Sequence, residues 1–157
     1  MAGSEYRIMA IELSDGVAAH SAMIRQETRI AIHDILERNL FRPRGSSGGP
    51  YRLLLKLAEN RLVLEISLAD FAGHGRMMLS LTPFRRVIRE YQAVCESYSI
   101  AMRESHLARI EAVDQGRRGL HDEGAQLLME RLQGRIELDF ETARRLFTLI
   151  SALCLKP

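Results

Sequence analysis

The chain has 157 residues, 46% of them hydrophobic and 27% charged, and its formal net charge is +2. This size and composition are those of one globular domain, so we expect residues 1–157 to form a single domain. This charge is too small to imply a polyanionic partner by itself. No signal segment is visible, and no apolar run approaches the ~20 residues that cross a membrane. We therefore expect a cytoplasmic protein without membrane contact.

The basic residues and the cysteines give little indication of chemistry. Of 22 basic residues, only Lys56 and Lys156 are lysines. Arginine suits bidentate recognition of phosphate and carboxylate groups, but a GC-rich coding sequence would produce the same bias, and we favour that explanation. Cys95 and Cys154 fall on separate apolar stripes and are interpreted as reduced core thiols.

The N-terminal third predicts a strand, a helix and a loop. Residues 6–13 are apolar and short enough for a strand, and Ser14-Asp15-Gly16 follows as a turn. Apolar residues recur at helical spacing over 21–39. Residues 42–50, with the sequence RPRGSSGGP, predict a turn-rich loop.

The most strongly specified element is a β-hairpin over residues 51–68. With a two-residue turn at Glu59-Asn60, one face pairs only apolar residues, and the opposite face is mostly polar. A slip by one residue would turn the leucines to water, so the pattern predicts this register. The apolar pairs are Leu57–Leu62, Leu55–Leu64, Leu53–Ile66 and Tyr51–Leu68. The polar face, expected to be solvated, carries Arg52, Lys56, Arg61 and Glu65.

A third strand and a long helix follow the hairpin. Residues 76–81 predict the strand. Thr82-Pro83 is a typical helix start, with a capping residue before a proline. Apolar residues then continue at helical spacing to about residue 104, which corresponds to a helix about 30 Å long.

The next segment predicts two shorter helices and a short strand. A helix starting at Ser105 is interrupted by Gly116 and Gly119, and a helix resumes near Asp122. Residues 135–138 predict the strand.

Asp139 has the side chain of an N-cap and begins a last helix. The end of this helix, residues 146–155, is apolar nearly all round, which indicates either the centre of the core or a subunit interface. Together the elements predict an α+β fold. We expect an antiparallel sheet, formed by the hairpin and meander 51–81 and the N-terminal strand, covered by four or five helices.

The densest polar cluster is Gly116–Gly124, with the sequence GRRGLHDEG. At a helix N-terminus, free backbone N–H groups and the helix dipole attract anions, and Arg117, Arg118 and His121 would then bind one. The alternative interpretation is structural. In it, Arg118 pairs with Asp122 one turn later, and the glycines permit close packing.

Two arginines near the start of the long helix, Arg85 and Arg86, are further candidates for an anion contact. Between Thr82 and Gln133, however, eight arginines are matched by eight acidic residues, and the chain has no tryptophan. This balance argues against a nucleic-acid platform.

Sequence motifs for enzymes, metals and cofactors are missing. His121 and Glu123 would serve as acid and base only if both lined one concave pocket. No histidine or cysteine has metal-ligand spacing, so we expect neither a metal nor a cofactor. Residues 45–49, GSSGG, resemble a phosphate loop but lead into a strand and lack its Lys-Ser/Thr ending, so we interpret them as a flexible connector.

Several stretches together resemble a known family. They are GPYRL, ENRL, LSLTPFRR, CESY, GRRGLH, QLLMERL and DFETARRLFTLI, and the resemblance covers residues 7–153. The chain is similar to an uncharacterised protein family of alphaproteobacteria, number two hundred and sixty-two of the UPF series. The resemblance implies a small bacterial cytoplasmic protein and implies no activity, substrate or site residue.

Three functional hypotheses follow. The first is a non-enzymatic interaction or regulatory protein, a homodimer that self-associates through the apolar helices Phe84–Met102 and Phe140–Leu153. The second is a binder of a phosphorylated small molecule or an RNA phosphate through the Gly116–Gly124 segment. The third is a small enzyme that uses His121 and Glu123.

Overall fold

A computed structural model describes residues 5–14, 22–68 and 74–155. The predicted turn at Ser14-Asp15-Gly16 lies outside these ranges beyond Ser14. None of the helices in the ranges is long and apolar enough to span a membrane. In chain order the elements are β1 Ile8–Leu13, α1 Ala22–Glu37, β2 Phe41–Pro43, β3 Tyr51–Ala58, β4 Arg61–Leu68, β5 His74–Ser80, a 3-10 turn Thr82–Phe84, α2 Arg85–Glu104, α3 Leu107–Leu132, β6 Ile136–Leu138 and α4 Phe140–Cys154.

The strands form a four-stranded sheet and a separate pair. The sheet has the order β1-β3-β4-β5, and β2 pairs with β6. The fold is therefore α+β, as the sequence predicts. β1 and β3 run parallel, however, while β4 is antiparallel to both β3 and β5, so the sheet is mixed and not wholly antiparallel. The segment with α1 and β2 connects β1 to β3, and such a crossover allows neighbouring strands to run in the same direction.

The β3–β4 hairpin has the predicted register at every position. Glu59-Asn60 forms its turn, with Glu59 at φ 59°. Most residues of the apolar face are buried in the core, whereas Leu57, next to the turn, is 37% exposed. The polar face is not solvated throughout, because Val63 is fully buried there.

The start of α2 differs from the prediction, and its end does not. A 3-10 turn precedes the helix, and Thr82 makes no capping hydrogen bond. Its hydroxyl instead accepts a hydrogen bond from Asn60 Nδ2 at 2.7 Å. The helix ends where the sequence predicts, and Ser105 follows in the left-handed region at φ 55°.

α3 is one unbroken helix of 26 residues, so the predicted interruption at Gly116 and Gly119 is wrong. A glycine inside a helix costs about 1 kcal/mol relative to alanine. Packing against α2 and α4, which both contact α3, offsets that cost. The helix begins after His106, whose Nδ1 accepts a hydrogen bond from the Arg109 backbone N–H at 3.2 Å.

α4 lies in the centre of the molecule. Its predicted cap is confirmed, since Asp139 Oδ1 accepts a hydrogen bond from the Thr142 backbone N–H at 3.0 Å. The helix contacts α1, α2, α3 and β3. Phe147 and Leu149 are fully buried. Its apolar end therefore belongs to the core of a single chain.

The short strand predicted near residues 135–138 is present as β6. Its partner β2 lies partly in the segment predicted as a loop, with Phe41 opposite Leu138 and Pro43 opposite Ile136. A strand of three residues is too short to show an alternating pattern. The pairing holds the start of the β2–β3 loop beside the segment before β6.

Candidate functional site

Two cavities lie between the helices and share one wall. One is about 590 Å³ and is lined by residues of α1, α2, α3 and α4. The other is about 540 Å³ and lies among α1, α2 and α4. Glu27, Tyr91 and Thr148 line both, and we call the two cavities the helical groove. Concavities of this size, apolar with a few converging polar groups, are where proteins bind small molecules.

Only two of the predicted site residues line the groove. These are Arg117 and His121. Arg118 is exposed on α3, and Arg85 and Arg86 are exposed near the start of α2. The structure therefore does not gather the predicted residues into one site.

Arg117 is already paired within α3. Its Nη2 donates to Asp114 Oδ1 at 2.8 Å, and its guanidinium lies over the Tyr98 ring, 4.8 Å from the centroid. The hydrogen bond from Arg117 lowers the pKa of Asp114. The expected pair between Arg118 and Asp122 does not form, because Arg118 Nε lies 3.0 Å from Asp114 Oδ2 instead.

The backbone geometry required for an anion site at Gly116–Gly124 is missing from this segment. Its N–H groups lie in the interior of α3, where helical hydrogen bonds occupy them, and no helix N-terminus is present there. Asp122 faces α4, where Arg144 Nε lies 3.1 Å from its Oδ1 without the alignment of a hydrogen bond. Anion binding by this segment stays a prediction without that support.

His121 is held in place by α4. Its Nε2 lies 2.7 Å from the Arg144 carbonyl oxygen and 2.8 Å from Thr148 Oγ1, and its Nδ1 lies 3.4 Å from Arg144 Nη2. A carbonyl only accepts and a guanidinium only donates, so the proton is on Nε2 and the lone pair of Nδ1 faces the arginine. The ring also stacks on Tyr91. Burial lowers the pKa of His121, so the ring is neutral at physiological pH.

His121 and Glu123 do not share a pocket. Glu123 pairs with Arg86 on α2, and Arg86 also pairs with Glu90. Glu123 is not among the residues that line the cavity containing His121. The enzyme hypothesis requires both side chains in one concavity, and the structure does not meet that requirement.

The glycines of this segment differ in their surroundings. A Cβ on Gly124 would come within 2.4 Å of the Phe147 ring, so α3 and α4 approach closely only because this residue is glycine. A Cβ on Gly119 would meet no atom within 4 Å. The structural interpretation, close packing at the glycines, is thus confirmed at Gly124 and not at Gly119.

Two buried groups near Glu27, the Tyr91 hydroxyl and the Cys95 thiol, stay uncharged at neutral pH. Burial raises the pKa of the Tyr91 hydroxyl, and it raises the pKa of Cys95 to about 11. A thiol with this pKa is protonated at neutral pH and is a poor nucleophile. Cys95 and Cys154 are both free, as the sequence predicts.

Glu27 lies on the shared wall of the groove and was not predicted as a site residue. Burial raises the pKa of its carboxyl, and the charge of Arg117 opposes that shift. The carboxylate makes no hydrogen bond or ion pair with any residue that the structure describes. The sequence contains a signal for its burial. Glu27 follows Ile24 by three residues and precedes Ala31 by four, so it lies on the apolar face of α1.

The described residues include one group with ligand atoms close enough for a metal. His33, Asp34 and Glu37 place one ligand atom each within 4.8 Å of one another on α1. Asp34 Oδ2 also lies 3.5 Å from Arg145 Nε, so a metal would compete with the guanidinium for this carboxylate. Such groups are common on exposed helices without a metal, and we assign none here.

The fold and the groove define a class of protein, a small α+β domain with ligand-sized cavities between its helices. Within that class, the chain belongs to the Uncharacterised protein family (UPF0262), whose model matches residues 5–156. The resemblance seen in the sequence is thereby confirmed.

Bacterial relatives match the chain over nearly its full length. UPF0262 proteins of Rhizobium johnstonii and Agrobacterium fabrum are 47% and 46% identical to it, and each match covers 98% of both chains. A UPF0262 protein of Nitrobacter winogradskyi is 48% identical over 96% of this chain and 90% of its own length. No solved structure matches the chain.

Proposed function

We propose that the protein is a non-enzymatic binding domain that holds a small molecule in the helical groove. The observation that carries this proposal is Glu27, a half-buried carboxylate that lines both cavities and lacks a partner among the described residues. The ligand presents an N–H or O–H donor to this carboxylate, most favourably a protonated amine.

The energetics of Glu27 favour such a ligand. Removing a carboxylate from water is unfavourable unless hydrogen bonds replace those to water, and the raised pKa of Glu27 reflects that penalty. A hydrogen bond to a charged group contributes about 1.5–3 kcal/mol. A bound ammonium group would therefore offset the desolvation of Glu27 while Arg117 stays paired with Asp114.

The other residues that line the groove indicate the size and polarity of the rest of the ligand. In the cavity of about 540 Å³ they include the apolar side chains of Ile24, Ala93, Ala152 and Leu155. This volume suits a molecule of drug size or smaller. The polar side chain of Gln92 is occupied, because its amide donates to the Ser151 carbonyl at 3.0 Å. The expected ligand is an amine on a compact apolar body.

The groups beside Glu27 support binding rather than catalysis. Tyr91 and Cys95 are protonated at neutral pH, and both ring nitrogens of the neutral His121 face α4. Covalent or acid–base catalysis requires an activated nucleophile or a base with a free lone pair. None of these three side chains supplies one.

A pair of matched probes tests the proposal. Phenethylamine and phenethyl alcohol share an apolar body and differ in the charge of the head group. We expect the wild-type protein to bind the amine more tightly in an NMR titration. Glu27→Gln should weaken amine binding about tenfold, or ~1.4 kcal/mol, and should leave binding of the alcohol nearly unchanged.

Glu96→Gln is the matched control for this experiment. Glu96 lines the same cavity but is exposed, so its loss should leave amine binding unchanged. If the amine binds Glu27→Gln as tightly as it binds the wild type, or binds neither, the assignment of the site to Glu27 is wrong.

Self-association is a second proposal, now restricted to the exposed apolar residues where α2 ends and α3 begins. The apolar residues of Phe140–Leu153 are buried inside one chain and leave little surface for a partner. At the end of Phe84–Met102, however, Met102 is 48% exposed, and Leu107, at the start of α3, is 76% exposed. Light scattering at micromolar concentration should detect a dimer that Leu107→Glu dissociates, whereas a monomeric wild type would contradict the proposal.

A further inference from the structure

We propose a second binding site, for the phosphate group of a small phosphorylated ligand, at the loop between β2 and β3. It is a cavity of about 400 Å³ lined by three arginines from distant parts of the chain. Arg44 lies in the loop, Arg76 in β5 and Arg135 before β6. We call these three residues, with Ser46 and Ser47, the arginine cradle. It is separate from Glu27 and the helical groove.

The charges of the cradle are not neutralised by the residues that line it. No acidic side chain is among the described residues that line this cavity. Arg135 donates to the carbonyl oxygens of Met78 and Arg131, and Arg44 lies 3.4 Å from the Gly134 carbonyl oxygen. These contacts orient the guanidinium groups and leave their positive charges available for an anion.

Within the part of the chain that the structure describes, Arg76 has one acidic neighbour, Glu65, which lies directly opposite it in the pairing of β4 with β5. Its Nε lies 4.0 Å from Glu65 Oε1, and the same oxygen lies 3.1 Å from Lys56 Nζ. Glu65 is thus engaged mainly by the lysine. A phosphate between the arginines would receive charge-assisted hydrogen bonds from side chains that have no closer carboxylate among the described residues.

Glycine and serine residues set the shape of the loop, and the Glu5 carboxylate lies against Gly48 at one side of it. Gly45 and Gly48 have φ values of 82° and 139°, which disfavour a side chain at either position. Ser46 Oγ lies 2.5 Å from Tyr51 Oη and accepts a hydrogen bond from the Gly48 N–H, so the loop is tied to the sheet. The N–H groups of Gly45 and Ser47 find no acceptor among the described residues. These two N–H groups therefore remain available as donors to an anion.

An adjoining cavity has room for the rest of the ligand. It is about 600 Å³ and shares Arg44, Gly45 and Arg135 with the cradle. Its other walls include Arg42 and Glu137, so it suits a polar organic group. Arg117 and Arg118 on α3 are both paired with Asp114 and so do not extend a basic track towards RNA, which favours a small ligand over a nucleic acid.

Calorimetry with pyrophosphate and adenosine monophosphate, at fixed low salt, tests the cradle. We expect binding of at least one of them, weakened about tenfold or more by Arg44→Gln and by Arg76→Gln. Both residues are exposed, so the variants should keep the wild-type melting temperature. Arg118→Gln removes an exposed arginine of the same charge from α3 and should leave binding unchanged.

The opposite results overturn the proposal. It is wrong if neither probe binds, if both cradle variants bind like the wild type, or if a short single-stranded RNA binds while both probes do not. Loss of binding in Arg118→Gln alone would move the anion site to α3. Because Glu27 lies elsewhere, each result is independent of phenethylamine binding in the groove.

Discussion

Three arginines of α3 and α4, namely Arg117, Arg118 and Arg145, differ from those of the arginine cradle in the groups that they contact. Arg117 and Arg118 share Asp114, and Arg145 lies near both Asp34 and Glu141. In the cradle, Arg44 and Arg135 contact backbone carbonyl oxygens. Arg76 Nε lies 4.0 Å from the Glu65 carboxylate, which is closer to Lys56. Of these two groups of described arginines, the cradle group has more of its charge available for a ligand.

The difference follows from local geometry. A helix places side chains three and four residues apart side by side, so an acidic residue is readily within reach of an arginine. Arg44 and Arg135 come from a loop and a segment before a strand, where no such spacing operates. Arg76 lies opposite Glu65 across β4 and β5, but that carboxylate is closer to Lys56. The groove shows the reverse case, with a carboxylate, Glu27, that lacks a partner among the described residues.

The largest expected effect concerns the close packing of the helical region. Gly124→Ala places a methyl group 2.4 Å from the fully buried ring of Phe147, which has little room to move. We expect a loss of about 1–3 kcal/mol in the free energy of unfolding, measured by urea denaturation. Gly119→Ala is the control and should stabilise the protein by up to about 1 kcal/mol. Equal effects of the two substitutions would contradict the described packing.

The two groups of arginines should also differ in their effect on stability. Arg117→Gln removes the hydrogen bonds to Asp114 and the contact with Tyr98, and we expect a loss of about 1 kcal/mol. Arg44→Gln should change the free energy of unfolding by less than about 0.5 kcal/mol, because its charge has no carboxylate partner within the part of the chain that the structure describes. Urea denaturation of both variants compares them directly. A larger loss of unfolding free energy for Arg44→Gln than for Arg117→Gln would contradict the difference in pairing between the two groups of arginines.

A smaller effect is expected from the pH dependence of His121. Burial lowers the pKa of its ring below the ordinary value of 6.5, so the unfolded chain takes up a proton at a higher pH than the folded one. Stability should therefore fall as the pH drops below 6.5, until the folded-state pKa is passed. His121→Gln should reduce this dependence in urea midpoints measured across that range. An unchanged slope would show that the ring is not buried as described.

The smallest expected effect is the pH dependence of stability that arises from Glu27, which is opposite in sign to that of His121. The raised pKa of Glu27 means that ionisation at neutral pH is less favourable in the folded state, so stability is lost as the pH rises through the folded-state pKa. Glu27→Gln should therefore be slightly more stable than the wild type near neutral pH. The advantage should vanish below the ordinary pKa of 4.5. A variant that is less stable at every pH would indicate a hidden partner for the carboxylate.

The elements that sequence predicts correctly depend on local signals. The register of the β3–β4 hairpin follows from alternation over 51–68, and the Asp139 cap acts within one turn of its own helix. The parallel pairing of β1 and the unbroken α3 do not follow from local pattern, because both depend on packing between distant segments. The glycines of α3 are tolerated only because neighbouring helices contact it.

The sites illustrate the same limit. The sequence predicts Arg117 and His121 as site residues, and both line the groove. Arg117, however, is bonded to Asp114, and His121 is bonded to α4. The sequence does not predict Glu27 as a site residue, because the burial of this side chain depends on α2 and α4. The GSSGG loop was interpreted as a connector because no helix follows it, and the arginines around it are brought together only by tertiary structure.

One NMR experiment tests the contrast between the two regions most directly. Amide shifts of the wild-type protein would be followed during separate titrations with phenethylamine and with pyrophosphate. We predict that the amine perturbs residues around Glu27 in α1, α2 and α4, and that pyrophosphate perturbs the β2–β3 loop and the start of β6. Perturbation of the same residues by both probes, or of neither region by either probe, would contradict the account.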